Sequence, residues 1–249
     1  MNHVAALNHT ADLPGLFALP GGRIEVMIAA GEEVVECMRV LARAELNIVG
    51  ECLKHQGTFY EYDHYPNGDV YDDHSHAQYY YHAHRGAQGE HGHFHTFIRV
   101  KGIPGHISPV APPEDSDWPQ GDEILSHLVA FAMDRQGVPI GLFTTNRWVT
   151  GENWFAASDV IELLDRFVID HAYPSWPVNR WLSAMLVLFR PQIEDLLHQR
   201  DARLERWRQA HPDRDAFEDR DLEIMSQCSI SIEEQIDALN RLAAEQPDT

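Results

Sequence analysis

The chain has 249 residues, and its 19 Lys and Arg against 39 Asp and Glu leave a formal charge of −20 at pH 7. So acidic a surface repels phosphate backbones and anionic lipid, so neither nucleic acid nor a membrane surface is expected as a partner. With 44% hydrophobic residues the chain can bury a core, and its longest apolar runs, such as 181–189, are too short to span a bilayer.

Residues 1–22 read as an irregular arm ending in Leu-Pro-Gly-Gly. No basic stretch followed by an apolar one marks a signal peptide, so a cytoplasmic location is expected. From Arg23 to Lys54 the apolar residues recur at helical spacing: Val34, Val35, Met38, Leu41 and Ala42 form one stripe. Leu46, Ile48, Val49, Cys52 and Leu53 form a second helix or a continuation. Gly57 stops the pattern. Residues 58–101, rich in Tyr, Phe, His and Thr, predict antiparallel strands with a turn at Pro66-Asn67-Gly68. The clearest two run from Ala77 to Arg85 and from Glu90 to Lys101, joined by residues 86–89.

A Pro- and Gly-rich loop at 102–122 follows, then a second hairpin of His127–Asp134 and Ile140–Thr145. Asn146 to Trp154 reads as a polar, aromatic loop. A helix capped by Ser158 or Asp159 is expected to run to His171. A longer helix follows from Val178 to His211, broken at Pro191, with a charged, solvated final third. Ser231 with Glu234 forms a capping box for a last helix to Ala244. The expected fold is a single α+β domain of residues 1–249: a central antiparallel sheet or small barrel carrying a His-rich hairpin, flanked by N- and C-terminal helices.

Sixteen histidines stand out, ten of them between His55 and His106. If residues 86–89 close a regular hairpin, Arg85 faces Glu90, His84 faces His91, His82 faces His93 and Tyr80 faces His95. Alternation then places His82, His84, His91, His93 and His95 on one face, with opposed Cβ atoms about 4.5–5.5 Å apart. Tyr79, Tyr81, Ala83, Phe94, Thr96, Ile98 and Val100 form the other face, which suits a core. Neutral imidazoles suit Zn, Fe, Cu and Ni, and three protein ligands leave positions open for water, O₂ or substrate. The five histidines are therefore candidate metal ligands, His91 the least central because it borders the turn. The plain reading is an exposed His-rich strand. A one-residue slip in register would separate the two sets.

Candidate catalytic residues lie nearby. Glu90 can serve as carboxylate ligand or base, although its place opposite Arg85 favours a simple ion pair. Tyr80, on the histidine face, can orient a ligand or donate a proton, or belong to the core. Arg147, in a loop where Trp148 and Trp154 flank Thr150, Gly151 and Glu152, can bind a carboxylate and stack a planar substrate with the indoles, or pair an acid while the indoles pack. His74 and His76 read as outside the site. Three sparse cysteines, Cys37, Cys52 and Cys228, fit a reducing compartment and read as small buried hydrophobes. No nucleophile-elbow or nucleotide-binding motif occurs.

His82-Ala-His84, five residues and then Glu90, followed by more strand histidines, resembles the first motif of the cupin superfamily. There an H-x-H pair, a Glu and a later His hold a metal. The resemblance implies a non-haem metal oxygenase. The stretch from His127 to Trp154 looks like a bacterial family of unknown function that shares this hairpin. The expectation is therefore a metal-dependent oxidoreductase with one transition metal, Fe(II) preferred and Cu or Zn as alternatives, acting on a small molecule. A non-catalytic copper, nickel or haem binder or sensor is the other reading, and a homodimer stays open.

Overall fold

The computed structural model describes residues 21–84, 89–113 and 116–245. The expected arm at 1–20 and most of the hairpin connection, Arg85 included, lie outside the described residues. Helix α1, Gly21–Ala42, buries Ile24, Met27, Val34 and Leu41 at helical spacing. A break separates it from α2, Ile48–Leu53, where the Asn47 side chain accepts from Gly50 N at 2.8 Å.

Six antiparallel strands follow as a meander: β1 Tyr65–Tyr71, β2 Ala77–His82, β3 Glu90–Arg99, β4 Leu125–Asp134, β5 Pro139–Thr145 and β6 Ile224–Ser229. Of the two arrangements expected, the sheet is the one formed. Pro66-Asn67-Gly68 is not a turn between strands but an outward fold within β1, because Tyr65 pairs with Tyr81 while Val70 pairs with Tyr79. An edge strand tolerates this, since Pro66 there has no ladder hydrogen bond to give, and Gly68 supplies a φ of 86° that side chains resist.

The face of Tyr79, Tyr81, Phe94, Thr96 and Ile98 is the core, as expected, and each of these is fully buried. Helix α5, Trp176–Leu188, lies across it. Trp181 packs on Phe94 and Phe131, and the Tyr79 hydroxyl donates to Asn179 Oδ1 at 2.6 Å. One apolar cluster runs from Ile24 to Leu242, joining α1, the sheet, α5 and the C-terminal helix.

The second half departs from expectation in four places. The Asn146–Trp154 loop contains a single helical turn, α3, Arg147–Thr150. Helix α4, Ala157–Leu163, starts before Ser158 and ends well before His171; Asp201 from a neighbouring helix accepts from Ala157 N at 2.7 Å in place of a local cap. Helix α6, Arg190–Ala210, does break from α5 beside Pro191. Its charged end is not wholly solvated, because Arg200 is buried over the Trp154 ring. Finally, β6 was not expected: its short polar run pairs with β5 at the sheet edge. The last helix, α7, Ile232–Glu245, begins with the expected Ser231 contact to Glu234 N at 3.3 Å. No helix of the described residues is long and apolar enough to cross a membrane.

Trp181→Ala removes the largest side chain of this core and should lower unfolding free energy by about 3–5 kcal/mol in urea denaturation. His198→Ala, at an exposed site on α6, should change it by less than about 0.5 kcal/mol.

Candidate metal centre

The β2–β3 register is the one that alternation demands: His82 pairs with His93 and Tyr80 with His95. Across β3, the residues opposite His93 and His95 are Ala132 and Ala130, whose small side chains leave the imidazoles room. Phe143 of β5 closes the far side, its ring edge-on to His93 at 5.1 Å.

Three rings converge there. The Nε2 atoms of His82 and His93 lie 2.7 Å apart, and one nitrogen from each of His82, His93 and His95 falls within 4.8 Å of the others. The outer nitrogens are tied down. His93 Nδ1 donates to Glu90 Oε1 at 2.6 Å, and His95 Nδ1 meets His127 Nε2 at 2.9 Å. In the neutral ring, an Nδ1 proton donated to Glu90 leaves the His93 Nε2 lone pair facing His82. His95 Nε2 is buried and makes no hydrogen bond. A buried nitrogen without a partner is uncommon and marks a place for a ligand or ion. His84 stands at the rim, half-buried, its ring 4.8 Å from His82 and 5.1 Å from His93.

Electrostatics keep these rings ligand-ready. Burial, and then the neighbours His93, His84 and His64, push His82 down to about 2. Burial pushes His95 well below its ordinary value and His127 down to about 3. All three are therefore neutral at pH 7, the form that binds metals. Tetrahedral Zn–N bonds of about 2.0–2.1 Å set ligand nitrogens roughly 3.3 Å apart, between the 2.7 Å of the His82–His93 pair and the 4.8 Å that bounds all three. His82, His93 and His95 could hold a metal ion.

Two of the expected placements are corrected by one β-bulge. Glu90 pairs with Asp134 and Gly92 with Met133, so His91 is an extra residue on β3 and alternation inverts around it. His91 leaves the histidine face: its Nδ1 lies 2.6 Å from the Tyr81 hydroxyl and its ring stacks on Phe59. Glu90, expected on the opposite face, instead reaches His93. Gly92 makes the bulge feasible, because a Cβ there would sit 2.5 Å from His82 O.

Tyr80 is on the histidine face as expected, its ring 5.2 Å from His82 and 5.3 Å from His95. Burial pushes its hydroxyl upward, so it stays a neutral phenol. His64, from the loop before β1, stacks on Tyr80 at 3.6 Å, and a cleft of about 450 Å³ lined by Tyr60, Asp63 and His64 opens there to solvent. Arg147 is committed elsewhere: it donates to Glu218 at 2.6 Å and to Glu152 O at 3.2 Å, with Trp118 under its guanidinium. His74 is exposed, and His76 bonds Tyr71 at 2.5 Å. The cysteines are free thiols, and burial raises Cys37 and Cys228 to about 12.

His127, His64 and Glu152 were not expected at the site. A second irregularity brings His127 in: His95 pairs with Ala130 but Phe97 with His127, so β4 carries one extra residue between them. Glu152 is the part of the Asn146–Trp154 loop that touches the histidine face; its Oε2 accepts from His127 N at 2.5 Å.

A model of a domain of unknown function, DUF6969, matches residues 28–230, and the chain belongs to that family. No curated protein and no solved structure matches the chain.

Burial raises the Glu152 carboxyl from its ordinary 4.5 to about 8. Between those values the native chain holds a proton that the unfolded chain has released, so this group lowers stability as pH rises. Glu152→Gln keeps an oxygen for His127 N and removes the ionisation. The stability of the variant relative to the parent should therefore grow from about pH 4.5 to pH 8 in urea titrations. A difference independent of pH would mean that Glu152 ionises normally in the native chain.

Proposed function

We propose that this member of the DUF6969 family is a metal-dependent enzyme, with Fe(II) the preferred metal and oxygenase-type chemistry on a small organic substrate. The reading is carried by one observation: three buried imidazoles face one another while Glu90 and His127 hold the outer nitrogens of two of them. Outer partners of this kind fix the tautomer of a ligating histidine and raise its basicity. Ligand sets built for transfer of metal between proteins are exposed, whereas His93 and His95 are fully buried, which favours a retained cofactor over a metal-handling role.

A bound metal supplies a Lewis acid and, for iron or copper, a one-electron redox centre, with positions left open by three protein ligands. Iron is preferred because the strand pattern from His82 to Glu90 is cupin-like; the imidazole set itself also suits zinc and copper. The chain's own residues do the rest. Glu90 and His127 orient His93 and His95. Phe143, Ala130 and Ala132 keep water from the inner side. Tyr80 offers a neutral phenol beside His82 and His95, able to donate a hydrogen bond or a proton to a bound substrate. His84 and Tyr62, stacked at 5.4 Å, frame the rim.

Elemental analysis of untagged protein purified without chelators should find close to one transition metal per chain. His93→Ala should lose it, and His198→Ala should keep it. Glu90→Gln should bind it about 10–100-fold more weakly. O₂ consumption that follows iron content across these variants supports the oxygenase assignment. Zinc in place of iron would redirect the chemistry to activated water. Absence of metal after anaerobic iron, zinc and copper loading would overturn the reading.

A further inference from the structure

The histidine face continues beyond Tyr80 into a second polar arrangement. Gln78 lies four residues from His82 on β2, roughly 13 Å along the strand, and Arg99 lies four residues from His95 on β3. Arg99 Nε donates to Gln78 Oε1 at 2.5 Å, and Gln78 Nε2 donates to Asp69 Oδ2 at 2.6 Å. Gln78 is buried, so the guanidinium is held from behind by a fixed amide. In front of it opens a cleft of about 340 Å³, lined also by Tyr71, Lys101 and Asp122.

The choice of partner matters in so acidic a protein. Seven of the sixteen described arginines pair with a carboxylate and so are already committed: Arg23, Arg39, Arg147, Arg180, Arg190, Arg200 and Arg214. Arg99 is positioned by a neutral amide through Nε alone. Among the described residues no carboxylate pairs with it, and its two terminal amino groups keep their donors. Lys101 beside it makes only a long contact to Asp122, at 3.8 Å. A guanidinium fixed through Nε presents its remaining donors as a fork, the geometry that receives a carboxylate.

We propose that the Arg99 cleft binds the carboxylate of a small organic acid. Asp69 and Asp122 on the cleft walls oppose a doubly charged phosphate, whereas a single carboxylate is matched by Arg99 with Lys101 beside it. The cleft and the histidines share a sheet face, and Asp69 links them: its other oxygen lies 3.1 Å from His64 Nδ1, and His64 covers Tyr80. Resting on the metal-enzyme reading, the acid group is the anchored end of the substrate.

Calorimetric titration of the full chain with butyrate, methyl butyrate and inorganic phosphate tests this. Butyrate should bind saturably, and its neutral ester and phosphate should bind at least tenfold more weakly. Arg99→Gln should weaken butyrate at least tenfold. Arg99→Lys, which keeps the charge and loses the fork, should fall between the two. His93→Ala should lose metal but keep its butyrate affinity. Unchanged affinity in Arg99→Gln or Arg99→Lys, absence of saturable binding, or phosphate binding tighter than butyrate would overturn the proposal. Butyrate binding with no metal in the native chain would overturn the metal reading alone.

Discussion

Two imidazole nitrogens held 2.7 Å apart in a buried sheet face set the terms for the rest of this structure. In water each would be solvated or protonated. Here burial disfavours the charged form of His82 and His95, so the lone pairs cannot be neutralised by protonating every ring. An Nε2–H of one neutral ring donated to the other, or a cation between them, satisfies the pair. Glu90 at His93 and His127 at His95 sharpen that demand, because they occupy the outer nitrogens and leave the inner ones to face each other.

Much of the sheet is explicable as what this arrangement needs. Alanines stand where β4 passes the ligand rings, since larger side chains would fill the space the imidazoles occupy. The bulge at His91 turns Glu90 inward, and the extra residue on β4 turns His127 inward. Each irregularity delivers one outer partner to one ligand. On the opposite face Tyr79, Phe94 and Phe131 meet α5 as an apolar layer, and the bulge sets His91 beside Tyr81 at its margin.

Charge is distributed with similar asymmetry. Seven of the sixteen described arginines pair with a carboxylate. Arg147 and Arg200 are buried in this way around the Glu152 loop, where the carboxyl itself stays protonated to about pH 8 because burial outweighs both cations. Arg99 is held instead by the Gln78 amide, and this places a guanidinium fork in a cleft on the face that carries the histidines.

Local pattern was enough for a good part of this. The 3.6-residue stripes of α1 and α5, the break at Pro191, the Ser231 cap and the period-two alternation of β2 and β3 are properties of short segments, and the His82–His93 and Tyr80–His95 pairs follow from them. So do the α+β class and a histidine cluster able to hold a metal, although of the five histidines expected there the structure brings three together, His82, His93 and His95. What short segments do not encode is where a strand gains an extra residue, because a bulge is a relation between two strands. For that reason alternation alone puts His91 on the histidine face and Glu90 on the other, and does not bring in His127. The fold at Pro66, the cap of α4 and the edge strand β6 differ from the local pattern for the same reason: each is decided by a partner distant in sequence. The residue types and their alternation determined which groups could bind a metal; pairing with β4 and the loop of Glu152 decided which of them do face one another and what holds them there.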